Sequence, residues 1–242
     1  MRYGIFSDIH SNLEGLTSVI QAYQKEGIGQ YICIGDLVGY AADPNECVSL
    51  VKELEAVTVA GNHDWASVGL LSSGNFNFAA QEAVIYTQEK LNPESKEYLK
   101  SLQLVYKNQD FILAHGTLAN PEYFNYMLDR DAARSTFKLM EGKVIFVGHS
   151  HVPGFFNQNP AGDIAYQEAD KLDLSQAGKY IVNVGSVGQP RDGDPRACYC
   201  IYDSERMIVE IKRASYDIEK ARDKIIQADL PSYLGQRLLC GV

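Results

Sequence analysis

Five short apolar runs in the first 151 residues each stop at a side chain able to bind a cation. "YGIF" precedes Ser7-Asp8, "YICIG" precedes Asp36, "VTVAG" precedes Asn62, "FILA" precedes His115, and "VIFV" precedes Gly148-His149. Between the runs the apolar residues change to helical spacing, as in Leu13, Leu16, Ile20 and Tyr23, or Val48, Val51 and Leu54. Strands alternating with helices imply parallel strands joined by helical crossovers. In such sheets ligands bind beyond the carboxyl ends of the strands.

Local signals place the helices. Ser11-x-x-Glu14 has the form of a capping box, and Asp43-Pro44 offers a cap followed by proline at the first helical position. Further helices are expected near 76–90, 94–101 and 130–140, and a last one from Asp217 with Ile218, Ala221 and Ile225 inward. After residue 151 the pattern changes to strands with short connections: "GFFNQ", "DIAYQE", "KYIVNV", "ACYCIYD" and "MIVEIKRA". These suit an antiparallel or mixed sheet. No linker, repeat or low-complexity tract divides the chain, so residues 1–242 are expected to form one domain, two sheets face to face with helices outside.

An apolar share of 45 % and a charged share of 22 % over 242 residues suit a globular protein with a real core. The formal charge of −9 argues against general binding to nucleic acid or anionic membrane, which is driven by excess lysine and arginine. A small phosphorylated substrate is compatible with it, because a bound metal reverses the local field. The five cysteines lack a Cys-x-x-Cys pair, and Cys198 and Cys200 alternate along a strand as small apolar residues. The N-terminal "MRYGIFSD" does not have the form of a signal peptide, and no apolar run has membrane-spanning length. A cytoplasmic protein with reduced thiols is the expectation.

The chain has five histidines, at 10, 63, 115, 149 and 151, each within a few residues of the end of an expected strand. Asp8, Asp36, Asn62 and Asp64 share that position, and Gly35, Gly61, Gly116 and Gly148 stand beside them. Any one of these residues is explained as a cap, a turn or a satisfied polar group. A separate explanation of that kind at all five strand ends is much less economical than one shared site. A nitrogen and oxygen set without thiolate suits Mn²⁺, Fe, Zn²⁺, Co²⁺ or Ni²⁺ better than Mg²⁺ or Ca²⁺. The candidates exceed the needs of one tetrahedral ion, which points to two divalent transition-metal ions about 3.5–4 Å apart.

The ordered motifs "DIH" (8–10), "GD" (35–36), "GNHD" (61–64), "HG" (115–116) and "GHSH" (148–151) resemble the calcineurin-like metallophosphoesterase superfamily. The resemblance implies a four-layer α/β/β/α sandwich of two mixed β-sheets flanked by helices. It implies that Asp8, His10 and His151 hold one metal, that Asn62, His115 and His149 hold the other, and that Asp36 bridges them. His63 would protonate the leaving oxygen, with Asp64 orienting its ring, and water acidified by the cations would attack phosphorus in line. Asn62, His63 and Arg191 are the residues expected against the substrate.

The segment "NVGSVGQPRDGDPRACYCIYD" (183–203) and the spacer "VGYAADPNEC" (38–47) resemble a group of small bacterial phosphodiesterases. A phosphodiesterase acting on a small nucleotide-type or other diester is therefore the leading expectation. Alternatives are a phosphomonoesterase, a dinucleoside polyphosphate hydrolase, and a non-catalytic scaffold or regulatory module on the same fold. Arg191 either grips phosphate or pairs with Asp192 or Asp194. Loops 66–80 and 117–128 are expected to wall the cleft; Phe76, Phe78, Tyr123, Phe124 and Tyr126 suit either stacking on a nucleobase or ordinary packing of helix faces, and packing is the preferred reading.

Overall fold

The computed structural model describes residues 1–242. Its strands are β1 (Arg2–Phe6), β2 (Tyr31–Cys33), β3 (Val57–Thr58), β4 (Val105–Lys107), β5 (Ile112–Ala114), β6 (Val144–Val147), β7 (Gly154–Gln158), β8 (Ile164–Gln167), β9 (Lys171–Asp173), β10 (Lys179–Asn183), β11 (Ala197–Asp203) and β12 (Ile208–Ala214). Its helices are α1 (Leu13–Lys25), α2 (Pro44–Glu53), α3 (Asn62–Ser67), α4 (Phe78–Lys90), α5 (Pro93–Ser101), α6 (Arg130–Leu139), α7 (Ile218–Gln227) and α8 (Ser232–Leu238).

Two six-stranded sheets run β3-β2-β1-β11-β12-β9 and β4-β5-β6-β10-β7-β8. Both are mixed. β1, β2 and β3 pair in parallel while β11 joins β1 antiparallel; β5, β6 and β10 pair in parallel while β7 joins β10 antiparallel. The late strands do not form a sheet of their own, as their short connections suggested, but complete both.

Alternation along each strand builds the layers. Ile5, Ile32, Phe146, Cys198 and Cys200 fill the space between the sheets, whereas Phe6, Cys33 and Tyr199 face α1 and α2 on the outer side of the first sheet. Ile145 and Val147 point away from the first sheet, into the layer that holds Phe137 of α6. The order helix, sheet, sheet, helix is the expected four-layer sandwich. A further cluster joins Ala80 and Ala83 of α4 to Ala221 and Ile225 of α7 and to Leu234 and Leu238 of α8, with Tyr40 and Ala41 at its edge.

Two local expectations change. α1 is capped by Asn12, not Ser11: Asn12 Oδ1 accepts the Gly15 N–H at 3.0 Å. Ser11 has left-handed backbone (φ 58°) and donates its N–H to Leu37, while Glu14 pairs with Lys220 and Lys224. Asp43 stands at the cap position of α2 with Pro44 after it, but its carboxylate accepts from Lys224 at 2.8 Å instead of capping, and Leu54 lies just past the helix end. The helices α3 and α8 and the strands β4 and β9 had no expected counterpart.

Tyr23 of α1 ties two central strands together. Its ring is fully buried over Gly4, where a side chain would collide with it, and its hydroxyl lies 2.9 Å from the Ile5 carbonyl and 3.2 Å from that of Cys200. Tyr23→Phe keeps the packing and removes that hydroxyl. Chemical denaturation should show a loss of about 1–2 kcal/mol; an unchanged midpoint would show that the hydroxyl contributes nothing.

Candidate metal centre

The chain turns sharply just beyond the carboxyl ends of β1, β2 and β6. Asp8, His10, Asp36, His149 and His151 all have φ between 49° and 68°, a region that non-glycine residues enter at a cost of order 1 kcal/mol each. The loops hold one another in this shape. Asp8 N–H donates to Gly35, His10 N–H to Asp36, Gly148 N–H to His115, Gly188 N–H to Asp8 and Arg191 N–H to His151, each at 2.9–3.3 Å. Gly61 and Gly148 permit the close approach, since a Cβ at either would collide with Asp36 or with Ser7 and Asp8.

The structure brings Asp8, His10, Asp36, Asn62, His63, Asp64, His115, His149 and His151 together, all buried. Each of two carboxylates is anchored through one oxygen. Asp8 Oδ2 accepts the His149 N–H at 3.0 Å, and Asp36 Oδ1 accepts the His63 N–H at 2.8 Å. The other oxygen faces imidazole: Asp8 Oδ1 is 3.2 Å from His151 Nε2, while Asp36 Oδ2 is 3.2 Å from His115 Nε2 and 3.6 Å from His10 Nε2.

The histidine tautomers follow from their partners. His10 Nδ1 lies 3.1 Å from the Val38 carbonyl, His115 Nδ1 2.7 Å from that of Ile34, and His151 Nδ1 2.6 Å from that of Gln189. A carbonyl only accepts, so each Nδ1 carries the proton and each Nε2 of the neutral ring is a bare lone pair. Yet His10 Nε2 and His151 Nε2 face each other at 3.0 Å as two such lone pairs, while His115 Nε2 lies 3.1 Å from His149 Nδ1. Facing lone pairs repel unless a cation lies among them. Asp8 Oδ1 and Asn62 Oδ1 are buried with no hydrogen-bond partner, which is costly unless a cation takes them. The ligand atoms of Asp8, His10 and His151 lie within 4.8 Å of one another, and so do those of Asp36, His115 and His149. A ring pinned through Nδ1 to a carbonyl, with Nε2 free, is the usual arrangement of a metal-binding histidine. The donor set fits divalent transition-metal ions.

The charges agree. Burial alone would raise Asp8 and Asp36, but the imidazoles around them, chiefly His151 and His115 respectively, hold both well below the usual carboxylate range. Burial opposes a charge on His115, yet Asp36 and then Asp8 outweigh it and push the ring up to about 10, so that with no cation bound a proton occupies the Nε2 position that a metal would take. Burial holds His149 down at about 3 and His63 at about 4. The cluster is anionic and attracts a cation.

Asp64 does not orient the His63 ring. Its carboxylate is filled by backbone N–H groups, those of Asp36 and Gly61 on one oxygen and of Leu37 and Val38 on the other, at 2.8–3.3 Å. Burial and the Asp36 charge push its carboxyl up to about 7, against the donors that favour the anion. Its work is to shape the loop carrying Asp36. His63 Nδ1 has no hydrogen-bond partner, and the ring is held by its neighbours, with centroids 4.5 Å from Tyr40, 4.8 Å from His10 and 5.0 Å from Phe76. His10, Asp36 and His63 form a third compact trio.

Arg191 pairs with neither aspartate offered by the sequence. Asp192 is taken by Arg213, and Asp194 by Arg196 at 2.6 Å. The Arg191 guanidinium donates to Gln189 Oε1 at 3.1 Å and lies 6.0 Å from the Tyr40 ring, with its Nε buried and unpartnered. Burial, and then Arg191, lower the Arg237 guanidinium of α8, so two cations share this edge of the site.

A cavity of about 350 Å³ opens onto Asn62, His63 and His149. Loops 66–80 and 117–128 do wall it, and the packing reading holds for Phe124 and for Phe76, which packs against the cluster of Ala80 and Ala83, but not for the exposed rings. Phe124 is buried against Trp65 and His115. Phe76, Tyr123 and Tyr126 line the cavity, and Phe78 is exposed outside it. Sequence reasoning missed Tyr40, Gln189 and Arg237; the first two stand in the quoted segments 38–47 and 183–203, but nothing in the pattern of those segments singles them out.

The calcineurin-like phosphoesterase superfamily domain matches residues 1–207. The chain belongs to this superfamily. Membership implies a hydrolase of phosphate esters. An uncharacterized protein of Methanocaldococcus jannaschii is 41 % identical over 241 residues, covering 98 % of this chain and 97 % of its own. The metallophosphoesterase from Sphaerobacter thermophilus shares 36 % identity with a TM-score of 0.89, covering 100 % of both chains. A hypothetical protein from Pyrococcus horikoshii shares the fold at 20 % identity, with a TM-score of 0.80 over 100 % of this chain and 98 % of its own. Helices α7 and α8 lie beyond the matched domain. No helix is long and apolar enough to cross a membrane.

If the facing nitrogens await cations, Mn²⁺ or Zn²⁺ added to chelator-treated protein should raise its melting temperature. At a hundredfold excess over Kd one occupied site contributes about 2.7 kcal/mol, roughly 5–10 °C for a chain of this size. The rise should shrink in His10→Ala; no rise in the wild type would contradict the assignment.

Proposed function

We propose that the protein is a binuclear metal-dependent phosphodiesterase acting on a small diester. The observation that carries this reading is the facing pair His10 Nε2 and His151 Nε2, with orphaned Asp8 Oδ1 and Asn62 Oδ1 nearby, in a chain of the calcineurin-like superfamily. Asp8, His10 and His151 would hold one divalent transition-metal ion and Asn62, His115 and His149 the other, with Asp36 between them. The two ions would supply positive charge to the phosphate oxygens and acidity to the attacking water.

The chain's own groups do the rest. Asn62 and His63 face the cavity, where they meet the ester. The ester oxygen leaves opposite the attacking water and takes a proton from His63, whose ring gains basicity when a phosphate anion arrives beside it. His63 Nδ1 has no hydrogen-bond partner and the ring lines the cavity, which leaves it free to carry a proton to the leaving oxygen. Arg191, free of acidic partners, reaches phosphate oxygens not held by the ions. A diester carries one charge per phosphate, which suits a cavity lined by no charged side chain other than histidine.

The same reading takes residues 1–242 as one domain, because the late strands complete both sheets. It places the protein in the cytoplasm, in keeping with five free cysteines, and makes its partner a small phosphorylated substrate instead of nucleic acid or membrane, in keeping with a net charge of −9.

Metal-loaded protein should hydrolyse bis-p-nitrophenyl phosphate, and chelation should abolish the activity. His63→Ala should retain metal and lose about 10²–10⁴-fold on an ester with a poor, alkyl leaving group, and far less on p-nitrophenyl esters, which need no proton. Equal losses on both would make His63 a positioning residue, and full activity without metal would end the reading.

A further inference from the structure

The aromatic wall beside the candidate metal centre is unusual for its exposure. Tyr123 is 70 % exposed and Tyr126 46 % exposed, although both rings line a cavity that reaches Asn62, His63 and His149. Rings that served the core would be covered. Their loop is nonetheless fixed. Phe124, between them, has left-handed backbone (φ 50°) and a buried ring edge-on to Trp65 at 5.6 Å. The Thr117 N–H donates to the Asn125 carbonyl at 3.0 Å, so close to Gly116 that no side chain would fit there. Tyr126 lies flat on the His149 imidazole, with centroids 3.8 Å apart and planes 14° apart. Across the cavity Phe76 rests on His63, and Ser72, Asn75 and Asn77 supply uncharged hydrogen-bonding groups.

This lining selects against several occupants. It has no lysine, arginine, aspartate or glutamate, so it is no second phosphate site. Amide and hydroxyl groups among the rings suit a flat group with polar edges better than an alkyl chain. A volume of about 350 Å³ admits one such group beside the reacting phosphate.

We propose that the cleft walled by Phe76, Tyr123 and Tyr126 receives the nucleobase of a nucleoside-bearing phosphodiester, stacked on these rings with its polar edge toward Asn75 and Asn77. The inference rests on the phosphodiesterase reading and adds to it the place where the nucleoside of a nucleotide-type diester is held. Base-aromatic stacking is tolerant of sequence, so any of the common bases would be accepted.

Two substrates with the same leaving group separate this inference from the reading beneath it: thymidine 5′-(p-nitrophenyl phosphate) and methyl p-nitrophenyl phosphate, each with manganese-loaded protein. Wild type should favour the nucleoside ester by about tenfold or more in kcat/KM, the size of one stacked base. Tyr123→Ala and Phe76→Ala should each cut that ratio severalfold, and Tyr123→Phe should restore it. A wild-type ratio near one, or a ratio untouched by both alanine variants, would overturn the inference even with both esters hydrolysed. If neither ester is hydrolysed, the phosphodiesterase reading fails by itself. Calorimetric binding of thymidine 5′-monophosphate against methyl phosphate then decides the cleft: tighter binding of the nucleotide that Tyr123→Ala removes upholds it, and equal binding overturns it.

Discussion

Three imidazoles commit their Nδ1 protons to carbonyls, which leaves each Nε2 to a proton or a cation, and here the Nε2 atoms of His10 and His151 point at each other while those of His115 and His151 point at carboxylates. That arrangement is repulsive among protein groups alone and becomes favourable with cations in its midst. The rest of the molecule can be read as what is needed to hold it. The carbonyls that pin the rings come from Val38, Ile34 and Gln189, so loops from different parts of the chain fix the tautomers together.

The cost appears in the backbone. Five of the side chains in the cluster sit on left-handed residues, and orphaned buried oxygens accompany them. Strain of this kind persists only where the surroundings over-determine it. Two sheets packed face to face provide that, because β1 and β2 deliver Asp8 and Asp36 from one sheet while β5 and β6 deliver His115, His149 and His151 from the other. The His149 N–H to Asp8 Oδ2 bond joins the two sets across the sandwich. A stable scaffold offsets an unstable edge, and the edge is where chemistry can occur.

Much of this was legible in the sequence, because a strand that ends in a ligand leaves a short, ordered signature. Asp8, His10, Asp36, Asn62, His115, His149 and His151 could be gathered by their place after apolar runs, and the alternation of period fixed which runs were strands. What escaped depends on contacts between distant segments. The capping box at Ser11 failed because the Asp8–Ser11 turn is held by the neighbouring loop, which moves the cap to Asn12. The orienting role of Asp64 failed because N–H groups from residues 26 to 28 positions earlier fill its carboxylate. The exposure of Tyr123 and Tyr126 could not be read from aromatic spacing, which is the same for a ring in a core and a ring in a cleft. Arg191 was left without an acid because Arg213, on β12, reaches Asp192 first.

The central claim is that the edge of this sandwich holds two ions, and anomalous diffraction from crystals grown with Mn²⁺ or Zn²⁺ tests it most directly. Two strong peaks are expected about 3.5–4 Å apart, one bound by Asp8, His10 and His151, the other by Asn62, His115 and His149, with Asp36 touching both. One peak only, or peaks that leave His10 Nε2 and His151 Nε2 still facing each other with nothing between, would contradict the account.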